Sequence, residues 1–229
     1  MKKIFALMLA AMMLLSLTPV LAEETAPVVY VTIANGEIVL ACQEVELTDA
    51  DEDGALTIAD ALYLAHEAAF EGGAEAGFAC ENTEYGLSMT KLWGVDNGGA
   101  FGYYVNDEMA MSLADPLEDG DYVNAYVYTD TTAYSDAYCF FDVKTTAEGD
   151  VTLTLSGVSF DESYAVVINP VVGATITING EKTDVVTDEN GQATMTVKAG
   201  DMISAVSDTA TLVPPCCVVT EATEEEVAA

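Results

Sequence analysis

Residues 122–128, YVNAYVY, sort two kinds of side chain by alternation. In an extended chain Val123, Ala125 and Val127 fall on one face, and Tyr122, Asn124, Tyr126 and Tyr128 on the other. The small aliphatic face suits the apolar stripe of a helix. The Tyr/Asn face is either the floor of a second packing interface or an aromatic platform for a sugar or a peptide. With Trp93, Tyr103 and Tyr104 nearby in the chain, Tyr126 and Tyr128 make up the candidate platform.

Outward from this strand, the N-terminal half supplies partners for both faces. Val28 to Ile33 and Glu37 to Ala41 are short β-type runs joined through Ala34-Asn35-Gly36, and Asn-Gly marks a tight turn. Residues 58–70 (IADALYLAHEAAF) place Ile58, Ala61, Leu62, Ala65 and Ala69 at helical spacing, and Gly72-Gly73 stops the run. Strand-like segments recur at 87–93, 101–105 and 122–128, separated by DNGG (96–99) and EDGD (118–121). Hairpin, helix, then more strands predicts an α+β arrangement, a sheet packed on one helix, over residues 23–144.

Beyond Lys144 helix formers thin out. Short strands are expected at 151–155, 165–168, 174–178, 192–197 and 202–205, with Asn179-Gly180 and Asn190-Gly191 as hairpin tips. The expectation for residues 145–217 is an all-β sandwich, and for 218–229 an acidic disordered tail.

Composition limits the partners. The chain has 229 residues, 39 Asp+Glu against 6 Lys+Arg, and a formal charge of −33. Nucleic acids and anionic membranes bind proteins largely through Lys and Arg, so both are excluded as partners. Residues 1–22 read as a secretory signal peptide: Lys2 and Lys3, an apolar run from Ile4 to Leu17, then small residues before Glu23. Secretion, with the mature chain extracellular or at the cell surface and not inserted in the membrane, is the expectation. Export would permit disulfides among Cys42, Cys80, Cys139, Cys216 and Cys217, but the odd number leaves one over and the pairing open.

The densest chemistry lies in residues 49–60, DADEDGALTIAD. Asp stands at loop positions 1, 3 and 5, Gly54 at 6, an apolar residue at 8 and Asp60 at 12, the spacing of an EF-hand-type calcium loop. Alternate carboxylates converge on a hard cation and Gly54 permits the sharp turn. The predicted ligands are Asp49, Asp51, Asp53, the Ala55 carbonyl, Thr57 and Asp60, and the predicted cofactor is Ca²⁺.

Residues 49–70 resemble one calcium-binding half of a dockerin repeat, including the Asp60-Ala61-Leu62 helix start. That likeness implies a calcium ligand set. Ile58 and Ala59 stand where dockerins often carry a polar recognition pair, and there is one loop instead of two, which argues against a cohesin partner. Residues 102–107 (GYYVND) with 117–128 (LEDGDYVNAYVY) are similar to the transcobalamin-like C-terminal family of bacterial surface proteins, which implies a β-grasp-like fold for the first domain. Residues 173–205 look like bacterial Ig-like or carboxypeptidase-regulatory-like modules, which implies a spacer or adhesive unit.

No enzyme motif stands out. His66 is the single histidine, and GxSxG, HExxH and P-loop patterns are absent. Asp119 and Asp121 flank Gly120 as a hairpin tip would. The reading is a secreted, calcium-binding, non-catalytic binding or adhesion module that engages an extracellular protein or glycan. The alternative is a glycan-binding accessory protein that uses the Trp/Tyr face.

Overall fold

The computed structural model describes residues 26–222. The expected signal peptide and residues 223–229 of the expected tail lie outside them. The first sheet has the order β2-β1-β7-β5-β6, from β1 (Val28–Ala34), β2 (Ile38–Glu46), β5 (Phe101–Val105), β6 (Glu108–Met109) and β7 (Tyr122–Val127). β1 and β7 run parallel at its centre, and the other pairs are antiparallel. Helix α1 (Ile58–Ala69) packs on one face, where Ile58, Ala61, Leu62 and Ala65 meet Val29, Val31, Ile33, Val123, Ala125 and Val127. The alternation in 122–128 therefore aims the aliphatic side as expected. Burying a side chain such as Leu62 contributes about 2 kcal/mol. A short helix α2 (Gly73–Gly77) and the hairpin β3 (Ala79–Thr83) with β4 (Gly86–Lys91) close that side.

Two further sheets face each other in the C-terminal half. One has the order β11-β10-β14, from β10 (Gly149–Phe160), β11 (Val166–Pro170) and β14 (Gln192–Val197), and β8 (Cys139–Phe141) also pairs with β10. The other has the order β13-β12-β15-β16-β9, from β9 (Thr145–Ala147), β12 (Thr175–Ile178), β13 (Glu181–Val186), β15 (Met202–Val206) and β16 (Cys217–Thr220). Phe141, Leu153, Leu155 and Met195 from the first meet Ile176, Ile203, Ala205 and Val219 from the second.

The α+β, β-grasp-like expectation is corrected by these strands: 48% of the described residues are strand and 9% helix, in several sheets, and the architecture is β-sandwich-like. The helical pattern in 58–70 is amphipathic and easy to read, whereas β3, β6, β8, β9, β13 and β16 are short or polar and give no clear alternation. β13, EKTDVV, is a largely exposed edge strand. Two expected boundaries also move. Strand β8 joins the second half although it precedes residue 145, and residues 218–220, expected in the tail, belong to β16, which runs parallel to β9.

Asn179 and Gly180, at φ 53° and 83°, form the tight turn expected between β12 and β13. Asn190-Gly191 is not a hairpin tip. It links β13 and β14, which lie in opposite sheets.

The Tyr face of β7 seals the two halves together. Tyr104 and Tyr126, 3% and 2% exposed, pack with Ala34, Tyr138 and Val213. The Tyr104 and Tyr138 rings stack at 3.6 Å between centroids. Burial raises the Tyr104 hydroxyl to about 12 and pushes Tyr126 well above its ordinary value, so both are neutral.

His66 is a core residue with both ring nitrogens engaged. It is 0% exposed, its Nδ1–H donates to the Leu62 carbonyl at 2.6 Å, and its Nε2 accepts the Trp93 backbone N–H at 3.0 Å. That bond holds Trp93 at φ 49°, in left-handed backbone. Burial lowers the His66 pKa from its ordinary 6.5, and the Leu62 hydrogen bond only partly opposes this. A lowered histidine leaves the unfolded chain binding more protons in the window below 6.5. The His66 contribution is thus complete above pH 6.5 and declines as pH falls toward the lowered folded value. Urea midpoints measured downward from about pH 6.5 are expected to fall. A His66→Leu protein, less stable throughout, should lose that slope.

Candidate metal centre

The acidic loop is shaped by its own main chain. Asp49 Oδ1 accepts the Asp53 N–H at 3.1 Å and Oδ2 accepts the Gly54 N–H at 2.8 Å. Asp51 Oδ1 also accepts from Asp53 N, at 3.2 Å, and Asp53 Oδ1 accepts the Ala55 N–H at 2.8 Å. Gly54 sits at φ 91°, where a Cβ would be strained, and Glu52 takes φ 61°. These bonds fold the loop so that one carboxylate oxygen each from Asp49, Asp51 and Asp53 lie within 4.8 Å of one another.

Three carboxylates at that spacing repel one another and form an oxygen donor set for a hard cation. Asp51 shows the tension. Its pKa is raised, first by desolvation and then by the charges of Asp53, Asp60 and Asp49, against the opposing hydrogen bond from Asp53.

The other predicted ligands are placed differently. Asp60 is 2% exposed and caps α1: its Oδ2 accepts from Thr57 N at 2.9 Å and from Thr57 Oγ1 at 2.8 Å, and its Oδ1 accepts from Ala50 N at 2.8 Å. The Thr57 hydroxyl in turn accepts the Asp60 N–H at 3.4 Å, completing a capping box. Both residues expected to close the metal site are therefore engaged with each other, while Ala55 is exposed and bonded through its N–H to Asp53. Thr57-Ile58-Ala59-Asp60 has the Thr-x-x-acid spacing of a capping box, so the signal was present in the sequence.

The rest of the helix start is equally tied down. Ile58 N and Ala59 N donate to the carbonyls of Asp115 and Leu113, and Ala61 N donates to the Thr57 carbonyl, so the first amides of α1 are all satisfied. Leu117 N returns a bond to the Leu56 carbonyl at 2.9 Å. The carboxylate cluster thus projects from a fixed platform formed by the helix N-terminus and residues 113–117.

The aromatic platform is only partly assembled. Tyr103, Tyr104, Tyr126 and Tyr128 line one groove of about 240 Å³, rimmed by Met109 and Met111. Tyr104 and Tyr126 offer little surface there, because they are consumed by the packing between the halves. Tyr126 and Tyr128 join hydroxyls at 3.0 Å. Trp93 lies elsewhere, against His66 and Phe70 at 5.2 and 5.1 Å between ring centroids. Among the described residues no helix is long and apolar enough to cross a membrane. No protein-family model, curated protein or solved structure matches the chain.

Proposed function

We propose that the chain is a secreted, calcium-binding, non-catalytic module that engages an extracellular protein or glycan. The observation that carries this reading is the convergence of Asp49, Asp51 and Asp53 oxygens within 4.8 Å on a loop preorganised by backbone N–H bonds. Three protein carboxylates with water completing the shell suit a weak extracellular calcium site, Kd about 10⁻⁴ to 10⁻³ M. Its ligands are the three aspartates, without Asp60 and Thr57. The dockerin-like spacing of residues 49–54 agrees with this assignment. Engagement of both His66 nitrogens inside the core speaks for a binding role over a histidine-based hydrolase.

Titration of calcium into chelator-stripped protein tests it. Saturable heat release is expected, and at calcium about 100-fold above Kd a stabilisation of about 2.7 kcal/mol. Asp51→Asn should weaken binding by about tenfold or more, roughly 1.4 kcal/mol. No binding up to about 10 mM calcium would overturn the reading.

The alternative, a glycan-binding accessory protein, is favoured by one observation, the groove shared by four of the five platform tyrosine and tryptophan candidates. Its polar tips and aromatic walls suit a sugar face. Tyrosine emission that shifts on titration with soluble oligosaccharides, and no longer does so in Tyr128→Ala, would support it. Emission unmoved by every sugar would remove it.

A further inference from the structure

We propose that Cys42 and Cys216 form a reactive thiol pair that closes to a disulfide, tying strand β2 of the first sheet to the segment that enters β16 of the second half. All five cysteines are thiols in this structure. Three of them are unsuited to pairing. Cys80 is exposed on β3, and Cys139 is buried, donates to the Val213 carbonyl at 3.2 Å and is pushed up to about 12 by burial. Cys217 faces the sandwich core.

Position then decides between the adjacent cysteines. Cys217 is committed to the sandwich core, whereas Cys216, just ahead of β16, is buried and lines a small cavity with Thr32 of β1. It follows Pro214-Pro215, whose fixed φ angles stiffen the approach.

Cys42 is re-aimed by a bulge. In the β1–β2 register Val31 pairs with Gln43 and Ile33 with Leu40, so Ala41 and Cys42 together oppose Thr32. Cys42 takes φ 43°, and its N–H donates to Thr32 Oγ1 at 3.1 Å. Thr32 Oγ1 lies 3.6 Å from Cys42 Sγ, and Thr32, Lys144 and Cys216 line the same cavity, so the two cysteines converge on Thr32. Cys42 Sγ also reaches the Lys144 carbonyl at 3.8 Å, the same carbonyl that accepts the Val218 N–H of β16.

The pair is polarised. Hydrogen bonding from Cys216 lowers Cys42 to about 7 against the desolvation that opposes it, with Thr32 and the charge of Lys144 assisting. Cys216 is raised for the complementary reason, and Cys217 and Tyr122 are the other titratable groups nearby. Cys42 is therefore the attacking thiolate and Cys216 the resolving thiol.

The oxidant is a small disulfide, RSSR. Cys42 S⁻ attacks one sulfur, forming Cys42–S–S–R and releasing RS⁻. Cys216, giving up its proton, attacks Cys42 Sγ and expels a second RS⁻. Two thiols and RSSR thus become one protein disulfide and two RSH.

Reduced full-length protein incubated with oxidised glutathione tests the proposal. The expected product has lost two hydrogens, carries no glutathione, yields a Cys42–Cys216 linked peptide and melts at a higher temperature than the reduced form. Cys42→Ser or Cys216→Ser should abolish the link, while Cys217→Ser and Cys80→Ser keep it. Should the serine variants fold poorly, alkylation of wild type decides: at pH 7 Cys42 should react about tenfold faster than Cys80. Stable glutathione adducts on both sulfurs, a bridge to Cys217 instead, or equal alkylation rates would overturn it.

Discussion

Replacing Lys144 with Met is expected to destabilise the protein by about 3 kcal/mol, because it strands a charge between the two halves. Lys144 Nζ bonds both Asp107 oxygens at 2.8 and 2.7 Å and the Phe141 carbonyl at 3.2 Å. It also lies 4.9 Å above the Phe140 ring. The pair is largely withdrawn from water, the two side chains being 13% and 18% exposed. Asp107 sits at φ 67° in the β5–β6 turn and holds Tyr138 OH at 2.9 Å, so that turn is bolted to both β8 and the chain entering β9. Without the ammonium, Asp107 retains one neutral donor.

Lys182→Met is the matched control for net charge. Its partner Asp208 is 3.6 Å away and the side chains are 62% and 91% exposed, so the change should cost under about 0.5 kcal/mol. Urea unfolding of both variants decides. Equal small losses would show that the Lys144 pair contributes no more than a surface contact.

Asp60→Ala should also cost about 3 kcal/mol, with or without calcium. Three hydrogen bonds to one buried carboxylate disappear together, and the N–H groups of Thr57 and Ala50 lose their acceptor. Asp49→Ala breaks bonds only within an exposed loop and should leave stability without calcium within about 1 kcal/mol while removing the calcium response. The two substitutions separate capping from metal binding. Thermal melts in chelator and in calcium read the difference: a loss for Asp60→Ala that appears only in calcium would return Asp60 to the ligand set.

Features written in neighbouring residues were readable from the sequence itself. The two faces of 122–128, the helix expected over 58–70 and found at Ile58–Ala69, the Asn179-Gly180 turn and the clustering of Asp49, Asp51 and Asp53 each depend on a short period or a fixed spacing. Asp60 satisfies two local patterns at once, loop position 12 and helix position N3. The folded chain places its carboxylate against Thr57 and Ala50, as the cap pattern requires.

What the tertiary structure alone decided depends on residues far apart in the chain. Whether the Tyr face of β7 was open rested on Tyr138 and Val213 arriving beneath it. The predominance of β structure rested on short strands that gain their hydrogen bonds only from distant partners, as β8 does from β10 and β16 from β9. The arrival of Cys42 Sγ at the Lys144 carbonyl required a bulge in β2. Local sequence sets what a segment prefers, but a two-residue or three-residue strand has too little periodicity of its own, and its partner supplies the rest.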